Sequence, residues 1–334
     1  MKKLTIGIDI GGTNTVLGIV DKEGNVLMKD SILTPSHGEI DLFISNLAAA
    51  INKLIESVRY LGEEFEIMGI GIGAPNGNYH TGTVEYAPNL PFKGVINFVE
   101  KLKAHYPDLK TIVLTNDANA AAIGEMMYGG AKGLKNFVMF TLGTGVGSGI
   151  VVNGNLVYGH EGFAGECGHT MLIPGGRLCG CGILGHLEAY CSATGMKRTA
   201  FELLAHYNAS DSLLAGKTYC ELDAKMIYEA ALEGDKIALD VFKKTGEWLG
   251  QGLANTVHHL NPEAIFLFGG PVAAADLIFK PAKENMEKHL LPSFKNKIKI
   301  LPSQLKPDDA AIVGASALVL EERFKVANLL KLNC

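Results

Sequence analysis

The sequence predicts an α/β protein built from two related domains, and three observations carry that reading. Short β-branched runs alternate with amphipathic helical stretches along the chain. A strand–glycine turn–strand unit occurs twice, at Leu4–Val20 and again at Phe137–Val152. Each copy is followed by a strand ending in glycine and proline, Ile72-Gly73-Ala74-Pro75 and then Phe268-Gly269-Gly270-Pro271. A length of 334 residues fits about two domains at roughly 150 residues each. Glycine turns also resemble one another without common descent, and the sequence alone leaves that alternative open.

In order, Leu4–Ile10 reads as a strand, Gly11-Gly12-Thr13-Asn14 as a turn, Thr15–Val20 as a second strand and Val26–Lys29 as a third. Leu47, Ala48, Ile51, Leu54, Ile55 and Val58 recur at helical spacing within 41–59. Ile67–Gly73 is a glycine-laced strand, Val95–His105 a helix, Thr111–Thr115 a β-branched strand and Asp117–Tyr128 an alanine-rich helix. The second copy runs Phe137–Leu142, a turn at Gly143–Gly147, and Ser148–Val152, with Asn153-Gly154-Asn155 as a hairpin turn. The boundary is expected near Thr115, giving a smaller domain at 1–115 and a larger one at 116–314. The helix over about 315–334 is expected to pack back on the first. Residues 206–222 read as a polar excursion, and Trp248, Leu249, Leu253 and Val257 as helix core. His258-His259 reads as a helix end.

Composition excludes several classes. Apolar residues make up 47% and charged residues 19%, so the chain is not disordered. Thirty basic against 35 acidic residues give a net charge of −5, which argues against a broad nucleic-acid footprint. No window of 18 apolar residues is free of charge, so no membrane span is expected, and Asp9 interrupts the first apolar run too early for a signal peptide. Six cysteines, three of them within 13 positions, suit a reducing cytoplasm and a local metal site better than a disulfide framework. Glycine is the excess residue, 40 in all, where roughly 7% is usual.

The best-known nucleotide signatures are missing. Gly216-Lys217-Thr218 would end a Walker loop, but Asp211 stands where its first glycine belongs, and no Gly-x-Gly-x-x-Gly runs from a strand into a helix. The glycine turns at 11–14 and 143–147 offer backbone N–H groups that an anion can approach closely, and Thr13 and Thr144 add hydroxyls. Asp9, at a strand end, suits Mg²⁺, which favours few carboxylates and keeps its waters. A tight hairpin would use the same residues; the pairing of two such turns with an acid favours a polyphosphate clamp. Asn116-Asp117 stands between a strand and a helix, where Asp serves as an N-cap or as a site carboxylate. Cys179, Cys181, His186 and His169 supply four ligands of the kind tetrahedral zinc takes. Four protein ligands leave no open position, so such a zinc would be structural; a chance cluster of thiols is the alternative. Cys167 reads as packing. Glu166 and Glu188, in a glycine-rich stretch of low charge, suit the vicinal hydroxyls of a sugar, with Asn89 a further polar candidate.

Taken together, these motifs resemble the ROK family of bacterial sugar kinases and repressors, most closely its glucokinases. The resemblance rests on Asp9-Ile10-Gly11-Gly12-Thr13-Asn14, Asn116-Asp117-Ala118-Asn119-Ala120, Leu142-Gly143-Thr144-Gly145-Val146-Gly147, Glu161 to His169, Cys179 to Glu188, and Gly269-Gly270-Pro271. It implies an actin-like (ribonuclease H-like) ATPase fold, two α/β domains around a cleft. It implies Asp117 as general base, with Asn89, Asn116, Glu166, His169 and Glu188 on the sugar. ATP and Mg²⁺ are expected at Asp9, Gly11, Gly12, Thr13, Asn14, Thr144, Gly145, Gly269 and Gly270. Zinc in this family usually has one histidine and three cysteines; here His186 stands at the third cysteine position. The implied reaction is phosphorylation of the 6-hydroxyl of glucose, with N-acetylmannosamine, N-acetylglucosamine, fructose or allose as alternative acceptors. A sugar-responsive repressor is the remote alternative; such chains carry a helix-turn-helix ahead of a strand that here begins by Lys3. A homodimer or homotetramer is implied by the family alone.

Overall fold

The structure is a computed structural model. It describes residues 1–35, 38–60, 62 and 64–332, with the backbone alone for 324–332; Cys334, at the end of the expected terminal helix, lies outside the described residues. In chain order the elements begin with β1 (Lys2–Ile10), β2 (Asn14–Val20), β3 (Val26–Leu33), α1 (Ile40–Arg59) and β4 (Phe65–Ala74). β5 (Gly77–Asn78), β6 (Thr83–Glu85), β7 (Val95–Ile96), α2 (Phe98–Lys103), β8 (Ile112–Asn116) and α3 (Asp117–Tyr128) follow. Next come β9 (Phe137–Leu142), β10 (Val146–Val152), β11 (Asn155–Leu156), α4 (Glu188–Cys191), α5 (Ala193–Tyr207) and α6 (Ala224–Leu232). α7 (Lys236–Leu260), β12 (Ala264–Phe268), α8 (Asp276–His289), β13 (Lys299–Pro302) and α9 (Ala310–Leu332) complete the chain.

The chain divides into two compact units: Met1–Leu134 with Asn155–Ala164 and the stretch from Gln304 onward, and Lys135–Gly154 with Gly165–Ser303. This corrects the boundary expected at Thr115 and the span 116–314. α3 belongs to the first unit because it packs on α9, so closely that a Cβ on Gly124 would lie 2.8 Å from the Gly314 Cα. The stretch 155–164 returns to the first unit because Asn78 Nδ2 donates to the Glu161 carbonyl at 2.8 Å and the His80 ring meets the Gly159 carbonyl at 2.9 Å. Gln304 N–H donates to Glu125 in α3 at 3.0 Å.

The first unit holds a sheet of order β3-β2-β1-β4-β8, antiparallel across β1–β2 and parallel across β1–β4 and β4–β8. Alternation along β1 sends Leu4, Ile6, Ile8 and Ile10 into the core that α1 covers with Phe43, Ile44, Leu47, Ile51 and Leu54. Gly7 points the other way, toward α9. It pairs with Gly18 on β2 and Gly71 on β4, and the three form a trough in the sheet. A Cβ on Gly7 would fall 1.9 Å from the Ile312 carbonyl oxygen, and one on Gly71 1.8 Å from that of Ala315. Part of the glycine excess therefore serves helix docking rather than anion binding.

In the second unit β10, β9, β12 and β13 lie side by side with the same polarities, antiparallel across β10–β9 and parallel across β9–β12 and β12–β13. This matches β2-β1-β4-β8, so the repeat in the sequence extends to topology. Its core is organised by α7, whose Leu249, Leu253 and Val257 are fully buried, while Trp248 is half-buried and packs at a tilt against Tyr190, ring centroids 5.0 Å apart. His258 and His259 end that helix before the left-handed Asn261. Residues 95–105 are not one helix: Val95-Ile96 pairs with β6, as β-branched residues favour, and α2 starts after the Asn97 cap.

Candidate functional site

The first unit gathers its polar groups at the C-terminal ends of three parallel strands. Register places Asp9 beside Gly73, and Ala74 beside Asn116. Gly73 leaves room between two acids: a Cβ there would meet the Asp9 carboxylate at 3.6 Å and the Asp117 Cα at 3.5 Å. Burial first, and then the negative charge of Asp117, raise the Asp9 pKa from its ordinary 3.8 to about 7. Asp117 is reached by solvent yet crowded by protein, and that crowding raises its pKa too, partly offset by the Ala118 N–H. Asn116 is the N-cap of α3: its side-chain oxygen accepts the Ala118 N–H at 2.9 Å, a bond Asp117 shares at the same distance. The cap is thus supplied by Asn116, which leaves the rest of the Asp117 carboxylate for other work. Gly12, Thr13 and Asn14 are exposed, and Gly12 lies so near the exposed Asn89 that a Cβ would sit 2.6 Å from its carbonyl oxygen.

The second unit repeats the turn with different support. Gly143 N–H donates to the Gly145 carbonyl at 3.0 Å. The Glu188 carboxylate accepts the Val146 N–H at 3.0 Å, and a Cβ on Gly145 would lie 2.5 Å from it. Gly269, at φ 113°, follows β12 so closely against β9 that a Cβ would lie 2.0 Å from the Leu142 carbonyl. The Gly269-Gly270 corner and the Thr144-Gly145 turn therefore lie at the ends of adjacent strands. Glu188 is half-buried and both its oxygens are engaged, the second accepting from the Cys179 thiol at 3.2 Å.

His169, Cys179, Cys181 and His186 come together as expected, their ligand atoms all within 4.8 Å of one another. Cys181 Sγ lies 3.2 Å from His186 Nδ1, and Cys179 Sγ 3.8 Å from His169 Nδ1. Two thiols and two imidazoles converging within one ligand shell fit zinc. His169 turns its other nitrogen toward Glu166, 3.8 Å away, the outward carboxylate common behind metal-bound histidines. Burial holds the Cys179 thiol well above its ordinary range, with Glu188 adding to the effect. Cys167 is outside this cluster and half-buried against the core; Cys191 is buried and Cys220 exposed.

The supporting residues gave no sequence signal. Ser148 on β10 donates to the Gly165 carbonyl and accepts the Cys167 N–H at 3.1 Å, seating the loop that carries Glu166 and His169. Gly168 sits where a Cβ would be 2.0 Å from the Val146 carbonyl. Arg177 pins the cysteine loop to Ala189, Gly195, Thr199 and Glu202 and stacks on Tyr190 and Trp248. The Ala193 N–H and Thr194 hydroxyl donate to the carbonyls of Gly143 and Thr144. Thr34 donates to the carbonyl of Gly11. Among the described residues no helix is long and apolar enough to cross a membrane.

A model of the ROK family matches residues 5–322. A glucokinase of Halalkalibacterium halodurans is 35% identical over 319 residues, covering 95% of this chain and 95% of its own. A glucokinase of Streptomyces coelicolor is 36% identical over 323 residues, covering 95% and 98%. Among solved structures, a ROK family glucokinase from Streptomyces griseus in complex with glucose and AMPPNP superposes with a TM-score of 0.79 at 32% identity, over 94% of this chain and 98% of that one.

Proposed function

The chain belongs to the ROK family, and from that premise we propose that it transfers the γ-phosphoryl group of ATP to the 6-hydroxyl of glucose. Its fold is the actin-like ATPase fold of the family's sugar kinases. The observation that carries the reading is the Asp9–Asp117 pair at one sheet edge, kept apart by a glycine, in a chain this similar to glucokinases.

Asp117 takes the proton of the attacking hydroxyl. Burial raises its pKa above the ordinary carboxylate value, which makes the ionised carboxylate a stronger base. The sugar oxygen bonds to the γ-phosphorus as the bond to the bridging oxygen breaks, ADP leaves, and Asp117 releases its proton to water. Asp9 fits as the magnesium ligand, being a half-buried carboxylate beside a second negative charge, Asp117, that a cation would offset; when bound, magnesium neutralises charge on the triphosphate. The turns at Gly11–Asn14 and Thr144–Gly145, with Gly269 and Gly270, offer backbone donors to the phosphates. Asn89, Asn116 through its amide nitrogen, Glu166 and His169 orient the sugar hydroxyls. Glu188 also braces the second turn; a carboxylate oxygen accepts more than one hydrogen bond, so a sugar hydroxyl can add to the one facing Cys179. Zinc on His169, Cys179, Cys181 and His186 would hold the loop that presents Glu166.

A coupled assay of ADP release over a panel of sugars tests the reading. Glucose is expected to give the highest kcat/KM. Turnover confined to N-acetylmannosamine, N-acetylglucosamine, fructose or allose would replace the acceptor, and no ADP release with any hexose would remove the kinase reading.

A further inference from the structure

We propose that Thr34 is the positioning residue that aims the first glycine turn at its anion; this rests on the reading of that turn as a phosphate cradle. Thr34 is buried, 5% exposed, just beyond β3, and touches the turn twice. Its hydroxyl donates to the Gly11 carbonyl at 2.8 Å, and its N–H donates to the Thr13 carbonyl at 2.9 Å. The hydroxyl of Thr15, fully buried, lies 2.8 Å from that of Thr34. Since the Thr34 proton is spent on Gly11, Thr15 is the donor of that pair and fixes the rotamer.

A trans peptide is planar, with its C=O and the following N–H on opposite sides. Fastening the Gly11 carbonyl on Thr34 therefore turns the Gly12 N–H away from Thr34, while the Thr34 N–H holds the Thr13 carbonyl toward β3. Gly11 N–H is consumed within the turn by the Asn14 carbonyl at 3.0 Å. Among the described residues, Gly12 and Thr13 N–H have no protein partner, and both residues are exposed. The turn thus has the carbonyls of Gly11, Thr13 and Asn14 engaged by protein, while the N–H groups of Gly12 and Thr13, in exposed residues, are left for an anion. The second turn is organised in the same way by different residues: the Gly143 carbonyl accepts the Ala193 N–H at 2.8 Å and that of Thr144 the Thr194 hydroxyl at 3.3 Å. In both units, then, carbonyl anchoring sets amide direction.

The test pairs two measurements. Calorimetric titration with a non-hydrolysable ATP analogue and magnesium compares the parent with Thr34→Val, which keeps shape and removes the hydroxyl, and with Thr34→Ser, which keeps the donor. Thr34→Val is expected to weaken analogue binding about tenfold, as the loss of one aligned hydrogen-bonding group would. Glucose affinity stays unchanged and Thr34→Ser restores the parent value. Should the valine variant fail to fold, Thr34→Cys, a poorer donor of similar size, is expected to show a smaller shift in the same direction. Hydrogen exchange of the parent, with and without the analogue, follows the amides of residues 11–14. Protection there with no loss of affinity in a folded Thr34→Val overturns the role of Thr34 alone. No protection at 11–14 on analogue binding overturns the phosphate-cradle reading itself.

Discussion

The two hairpin turns, Gly11–Asn14 and Gly143–Gly145, stand on matching strands of matching sheets, yet their chemistry differs. Beside the first lie two acids at strand ends, Asp9 and Asp117; burial first, and then the charge of Asp117, raise the Asp9 pKa to about 7. Beside the second lies one acid, Glu188, already bound to a backbone N–H and to a thiol of the four-ligand cluster. Repetition of topology conveys the backbone cradle; what the cradle does is decided by the side chains at the neighbouring strand ends. In the proposed reaction the acids beside the first turn supply the base and the cation ligand, while the acid beside the second braces its backbone.

That contrast breaks most sharply at Asp117. Asp117→Asn is expected to lower kcat by about 10²–10⁴-fold while glucose still binds, because the base is lost and the cap on α3, supplied by Asn116, remains. Steady-state kinetics beside glucose titration check this, and near-parental turnover would return Asp117 to a structural role. Next in size is Gly71→Val, which places a side chain where even a Cβ falls 1.8 Å from the Ala315 carbonyl. It is expected to cost about 3 kcal/mol or more, read by urea unfolding. Gly143→Ala, with nothing within 4 Å of the new Cβ, is its counterpart in the cradle and is expected to change stability by less than about 0.5 kcal/mol.

Removing metal should act on one unit alone. Cys179→Ser, or chelator treatment, is expected to release zinc, speed hydrogen exchange in residues 165–188 and weaken glucose binding through Glu166 and His169, with exchange in β1–β4 unchanged. Metal analysis finding no zinc in the purified protein would contradict this. The remaining effect is electrostatic. The folded Asp9 pKa, about 7, lies above its ordinary 3.8, so its contribution is fully present below pH 4 and is lost as pH rises through 7. Without magnesium, Asp9→Asn is therefore expected to be more stable than the parent at pH 8, by about 1–3 kcal/mol, and to lose that advantage toward pH 4. A variant less stable than the parent at pH 8 would show that Asp9 is not held against its charge.

Local chemistry made much of this molecule legible in its sequence. Strand and helix periodicity placed α1, α3 and β9 within a residue or so of where they lie. Glycine turns beside Asp9, and Cys179, Cys181 and His186 within eight positions, stood out because the residues of each group lie close along the chain. The assignment of α3 to the first unit, the glycine trough that receives α9, the supports Thr34, Ser148 and Arg177, and the contact of Glu188 with the Val146 N–H were decided only by the tertiary structure. Each depends on partners brought together from distant parts of the chain: Gly71 is a weak strand residue until Ala315 packs on it, and Thr34 is an ordinary threonine until β3 carries it beneath Gly11.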